Sequence, residues 1–204
     1  MAWLLVPLYL VAEFVAIGAV WSTGPAPHDP LRNVISDLGA AGCTTIPYPY
    51  GDVPVCSPAS GLLNAAFIVT GLLMVLGAVC TARALRPGRA HTVGVALWVL
   101  VGLACMGSAV PLDVDLSLHT LLSLPMVLQG PAVWFTASGL RDRMPRLAAV
   151  GRVVAVVAVV ASLTMLAVSV SGWFIGLWQR LSVWPGYLWL GAVGWSLLTV
   201  RPSR

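Results

Sequence analysis

Arg83-Ala-Leu-Arg-Pro-Gly-Arg89 separates two long apolar runs, 60–82 and 92–112, and its reading decides the fold. Three arginines around a Pro-Gly break cannot continue either run, so the stretch is a short polar turn between two apolar helices. Arg141-Asp-Arg-Met-Pro-Arg146 divides 118–140 from 147–170 in the same way. With 59% hydrophobic residues in a chain of 204, the apolar surface exceeds what a water-soluble core of that size encloses. Bilayer hydrocarbon needs about 20 apolar residues per helical crossing. Six stretches reach that length, at about 3–22, 60–82, 92–112, 118–140, 147–170 and 181–200. The expectation is a single all-α membrane domain over 1–204. It is polytopic, with six transmembrane helices and a long outward-facing loop, 23–59, between the first two.

Orientation follows from charge. Every basic residue is an arginine, and nine of the eleven (Arg83, Arg86, Arg89, Arg141, Arg143, Arg146, Arg152, Arg201 and Arg204) fall on one side of the predicted spans. Asp29, Asp37, Asp52, Asp113 and Asp115, five of the seven acids, fall on the other. The positive-inside bias then places both termini in the cytoplasm of a cell-membrane protein, and it explains the formal charge of +4 without nucleic acid. No basic region precedes 3–22, no clear small-residue cleavage site follows it, and Glu13 interrupts it, so it is expected to be a retained helix rather than a secretory signal.

The outward segment 23–59 is too long for a simple connection and too rich in Pro, Gly and Tyr for a span, which predicts an ordered cap of short helical or turn pieces. Within it the apolar residues Leu31, Val34, Ile35 and Leu38 keep helical spacing, leaving Asn33, Ser36 and Asp37 to face polar partners or water. Cys43 and Cys56 either form a disulfide, which stabilises by roughly 3 kcal/mol in the chain-entropy model, or remain two thiols. Pro125 and Pro131 predict a kink in the fourth span, and glycines such as Gly71 and Gly102 permit close helix approach.

Chemistry has few places to reside. Glu13 lies near the middle of the first helix, where a charge is expensive, so it must be protonated, paired or turned to a wet cavity; Tyr9, one turn away, is a candidate hydrogen-bond partner. Pro111-Leu-Asp-Val-Asp-Leu-Ser-Leu-His119 sets two carboxylates and an imidazole at an outer turn. Asp115 and His119, four residues apart on a helix, can share a proton; equally, Asp115 can cap that helix while Asp113 is solvated. Ser123, Met126, Gly130 and Trp134 continue the His119 face, with Gln129 at its edge. Trp21, Trp173, Trp178 and Trp184 gather at the outer end as an aromatic belt. Trp184, Tyr187, Gly191 and Trp195, however, run deeper along the last helix and can line a pocket. Arg180 can pair with an outer carboxylate or bind an anion. Neither CxxC nor HExxH occurs, and no metal or cofactor is expected.

The stretches Leu31-Arg-Asn-Val-Ile-Ser-Asp-Leu-Gly39, Asn64-Ala-Ala-Phe-Ile-Val-Thr-Gly-Leu72, the turn holding Asp113, Asp115 and His119, and Gly176-Leu-Trp-Gln-Arg-Leu-Ser-Val-Trp-Pro-Gly-Tyr-Leu-Trp189 resemble the six-helix family known as domain of unknown function 998. That resemblance covers nearly the whole chain and implies the fold rather than an activity. In size and hydropathy the chain is also similar to bacterial membrane-bound terpene cyclases of drimentine-type pathways, which act on prenylated indoles. It lacks the Asp-rich motif of soluble class I synthases and the DxDD of class II enzymes. The similarity therefore implies a separate membrane type, started by protonation. Asp115, Asp113, Glu13 or Asp37 would donate the proton, Trp184, Tyr187, Trp178 and Trp21 would stabilise the cation, and His119 would remove the last proton, with Gln129 beside the substrate. Two further readings stand beside it: a binding or transport protein for a lipid or small amphiphile, and a structural membrane subunit. In the first two the partner is a hydrophobic small molecule within membrane lipid.

Overall fold

A computed structural model describes residues 2–23, 26–84 and 88–199, without the side chains of Arg83 and Ala84. Of the arginines that set the orientation, Arg86, Arg201, Arg204 and the side chain of Arg83 lie outside the described residues. Seven α-helices follow one another: α1 (Leu8–Thr23), α2 (Ser60–Ala84), α3 (Arg89–Gly107), α4 (Leu116–Ser123), α5 (Gln129–Leu140), α6 (Pro145–Ala167) and α7 (Ile175–Thr199). A 3-10 turn, Ala2–Leu5, precedes α1.

Five helical stretches are long and apolar enough to cross a membrane: Ala2–Thr23, Ser60–Ala82, Arg89–Gly107, Leu116–Leu140 and Pro145–Ala167. Their outward faces are apolar, as lipid requires. Val150, Val153, Val156, Val160 and Leu163 on α6 are all exposed, as are Leu8, Val11, Phe14 and Val15 on α1. The fold is that of a multi-pass membrane protein.

α7 carries Gln179, Arg180, Ser182 and Pro185, which lower its hydropathy. It tolerates them because much of its surface is enclosed: Val183, Tyr187, Trp189, Leu190 and Val193 are all buried. It also starts earlier than the sequence pattern suggests, at Ile175 instead of about 181. Arg180, expected in an outer connection, therefore lies more than a turn inside the helix.

Small residues let the helices touch. A side chain on Gly71 of α2 would run into the backbone of Gly102 on α3, and one on Gly102 would meet the carbonyl of Gly71. The fourth span is broken as Pro125 predicts: α4 ends at Ser123, a 3-10 stretch Leu124–Leu128 follows, and α5 restarts the helix. Pro125 denies a hydrogen bond to the preceding turn, and the tighter winding takes up the break.

Where helical turns are expected the cap contains a 3-10 turn, Ile35–Gly39, and it also contains a β-hairpin that departs from an all-α chain. Strands β1 (Thr44–Tyr48) and β2 (Gly51–Val55) pair antiparallel with Thr45 opposite Pro54 and Pro47 opposite Asp52. Proline has no N–H, so both prolines must occupy pairs that do not exchange hydrogen bonds, and the register places them two residues apart in the ladder as that demands. Ile46 and Val55 turn inward onto Ala40 and Leu112, with Tyr48 and Val53 beside them. Cys43 and Cys56 close the open end of the hairpin with a disulfide.

Candidate functional site

A buried ion pair between two helices of the bundle also anchors the cap. Arg180 on α7 donates from Nε to Oε1 of Glu13 on α1 at 2.9 Å, and Trp184 donates from its indole nitrogen to Oε2 at 2.9 Å. Glu13 is paired, and the hydroxyl of Tyr9 does not reach it but stays buried without a partner. The rest of the guanidinium faces the cap. Nη1 donates to the carbonyls of Pro30, Asn33 and, on its own helix, Gly176, while Nη2 donates to Nε2 of His28 at 3.4 Å. Accepting from a cation, His28 resists protonation. Burial and the Arg180 charge push its pKa down to about 4.

The outer carboxylates are committed to structure. Asp113 accepts from the backbone N–H groups of Ala41 and Gly42 at 2.8 and 2.9 Å, pinning the cap to the turn before α4. Asp115 accepts from the N–H of Leu118 at 2.8 Å as the N-cap of α4. It makes no pair with His119. Asp37 accepts from the Tyr48 hydroxyl at 2.6 Å and from Asn33 at 3.3 Å, joining the 3-10 turn to the hairpin. Burial dominates there and lifts its carboxyl to about 6 in spite of both hydrogen bonds.

Beneath the cap lies a cavity of about 470 Å³. Its roof is Val34, Ile35, Ser36, Tyr48 and Tyr50; its sides come from α4, the 3-10 stretch after it, the end of α6 and the first half of α7; Tyr9, Phe67 and Tyr187 lie deepest. Ile175 and Tyr187, both lining it, are twelve residues apart on α7 and give it a depth of about 18 Å. Leu124 and Leu166 line it and are exposed, as are Pro49 and Thr120, so it borders the protein surface beside the 3-10 stretch and α6 as well as under the hairpin turn. None of the described lining residues is an aspartate, glutamate, arginine or lysine.

Among the residues assigned a catalytic or substrate-binding role from the sequence, His119 and Tyr187 line this cavity. Trp21 is exposed and donates to the carbonyl of His28; Trp184 is spent on Glu13; Trp178 packs near Trp173 at 6.3 Å between ring centres. Gln129 is wholly buried. Its amide nitrogen donates to the carbonyls of Ser182 and Val183, just before Pro185, which lies within the unbroken helix α7. The face predicted to run on from His119 divides at the 3-10 stretch. Ser123 and Met126 line the cavity, whereas Gly130 packs on Val159 of α6 and Trp134 is turned outward.

Sequence reasoning passed over Ser36 as more than a polar position. Its hydroxyl lies 2.9 Å from Nε2 of His119, whose Nδ1 is 2.6 Å from the carbonyl oxygen of Val110. A carbonyl can only accept, so Nδ1 carries the hydrogen, and Nε2 of the neutral ring accepts from Ser36.

Comparison with curated proteins and with solved structures finds no match. The family model described as protein of unknown function (DUF998) matches residues 6–196, nearly the full length, and the chain belongs to that family.

Proposed function

We propose that the protein binds a lipid or small amphiphile at the outer end of a six-span bundle in the cell membrane, with both termini cytoplasmic. The observation that carries the reading is the cavity of about 470 Å³, whose walls are chiefly aliphatic and aromatic, with serine, threonine and tyrosine hydroxyls, one amide and one imidazole placed along them. That is the composition of a small-molecule site for a mostly apolar guest. α7 supplies the sixth span: its 25 residues are long enough, and its polar residues Gln179, Arg180 and Ser182 find hydrogen-bond partners inside the protein. The arginines near the ends of α2, α3, α5 and α6 favour a cytoplasmic side opposite the cap.

Native mass spectrometry of the protein in lipid nanodiscs tests the reading. One tightly held lipid or amphiphile per chain is expected, lost on Val183→Trp, which fills the cavity from α7 while leaving the melting temperature unchanged or higher. Equal retention by the filled variant overturns it.

Protonation-started cyclisation of an isoprenoid or prenylated aromatic is a second reading, favoured by the Asp37 and Tyr48 pair. A carboxyl lifted to about 6 keeps a proton at mildly acidic pH, and Tyr48, whose hydroxyl donates to that carboxyl, also lines the cavity. Tyr9, Phe67 and Tyr187 supply the aromatic floor on which a cation would rest. Incubation with prenylated aromatics and their epoxides should then yield isomeric cyclised products, abolished by Asp37→Asn; no product across the panel sinks it.

A further inference from the structure

We propose that Ser36 is a nucleophile and His119 its base, making the cavity a site of acyl transfer from a neutral, ester-bearing lipid. The proposal rests on the binding reading above and adds its chemistry and substrate class. Serine needs a neighbouring base to act as a nucleophile, and the base needs a third group to hold its tautomer. All three are present. Ser36 comes from the cap, His119 from α4, and the Val110 carbonyl from the turn before α4.

Both functional side chains line the cavity and are largely shielded from solvent, Ser36 at 8% and His119 at 6% exposure. The serine is held from behind: Gln179 accepts the backbone N–H of the adjacent Ile35. A simple tether between cap and helix would have no reason to open on a pocket. This one does, and the depth of about 18 Å suits an extended acyl chain lying along α7.

The substrate class follows from what the walls lack. With no arginine or lysine among the described lining residues, a phosphate at the reacting position would be desolvated without a counter-charge, whereas an ester carbonyl needs none. Tyr9 at the deep end keeps a buried hydroxyl free of protein partners, available to a polar atom of the guest.

In the step, Ser36 Oγ bonds to the ester carbonyl carbon as its proton passes to Nε2 of His119. The carbon–oxygen bond to the alcohol then breaks, and the alcohol leaves with that proton. An acyl-serine remains, which water, or a second alcohol, attacks in the same manner to release the acid or a new ester and restore the pair. No oxidant or reductant is involved.

The test uses the full chain in nanodiscs, a lipophilic alkyl fluorophosphonate, and peptide mass spectrometry to locate the adduct. We expect phosphonylation at Ser36, with Ser108, Ser123 and Ser182 of the same cavity unmodified, and a rate at least about a hundredfold lower in His119→Asn. The wild-type rate should also fall on acidification along one titration, a dependence absent from His119→Asn, which a structural role would not produce. Long-chain p-nitrophenyl esters should be hydrolysed by the wild type and not by Ser36→Ala. Because the adduct is mapped on wild-type protein, a variant that fails to fold leaves the main result standing. No adduct at Ser36 in protein that still carries its lipid, or labelling undiminished in His119→Asn, overturns the nucleophile and leaves the binding site in place. Loss of the binding reading itself is read separately, from lipid retention in Val183→Trp.

Discussion

Arg180 and Glu13, 167 residues apart, meet at 2.9 Å with both side chains removed from solvent. Breaking such a pair from one side leaves a buried charge without its partner, which costs about 3 to 5 kcal/mol. Glu13→Gln and Arg180→Met should each lower the melting temperature in detergent sharply. The double variant Glu13→Leu/Arg180→Met should recover only part of the loss, since Arg180 also satisfies the carbonyls of Pro30 and Asn33. A double variant as stable as wild type would show that the cap does not depend on those bonds.

The disulfide offers a milder perturbation. Cys43 and Cys56 are 13 residues apart, and in the chain-entropy model a loop near that size stabilises by roughly 3 kcal/mol. Replacement of both by serine should lower thermal stability by that order and expose Tyr48 and Tyr50 to quenchers. An unchanged melt would place the hairpin outside the cooperative unit.

Asp37 and His28 give the cap two opposing pH dependences. The carboxyl held at about 6 contributes stability fully present below its ordinary value and lost as pH rises through about 6. The imidazole held at about 4 contributes stability present above its ordinary value and lost as pH falls through about 4. Between pH 4 and 6 the two slopes oppose, and the wild-type melting temperature should be nearly flat. Asp37→Asn should then lose stability on acidification in that window, while His28→Gln should gain it. Parallel profiles for the two variants would contradict the assignment.

Asp113 and Asp115 should prove structural. Asp115→Ala removes a helix cap and should cost about 1 kcal/mol. Asp113→Ala frees two cap amides and should raise hydrogen exchange at Ala41 and Gly42. Neither should alter the occupancy of the cavity seen by native mass spectrometry; a loss of bound lipid with the fold intact would return these acids to the site.

The five most apolar helices were legible because lipid-facing residues repeat one chemical demand over about 20 positions. α7 was harder to bound, since its polar start faces protein, and hydropathy cannot distinguish a loop from a helix whose Arg180 finds its partner on α1. The hairpin was hidden by Pro47 and Pro54, which argue against strands until the register shows them opposite Asp52 and Thr45. A pairing of Glu13 with Arg180 could have been guessed, as the acid of one apolar run and the base beside another. Ser36 and His119 could not, for 83 residues separate them and only the folded cap brings them within reach.

The guanidinium of Arg180 also bears on how the cavity could be reached. Lifting the cap would strip its bonds to Pro30 and Asn33 while Glu13 stays behind in the bundle, so the cap is a fixed roof rather than a hinged lid. On the proposed binding reading, a guest would enter beside the exposed Leu124 and Leu166 rather than by lifting the cap. Partition into the membrane would then select the molecules that can reach Ser36 before any contact with the protein.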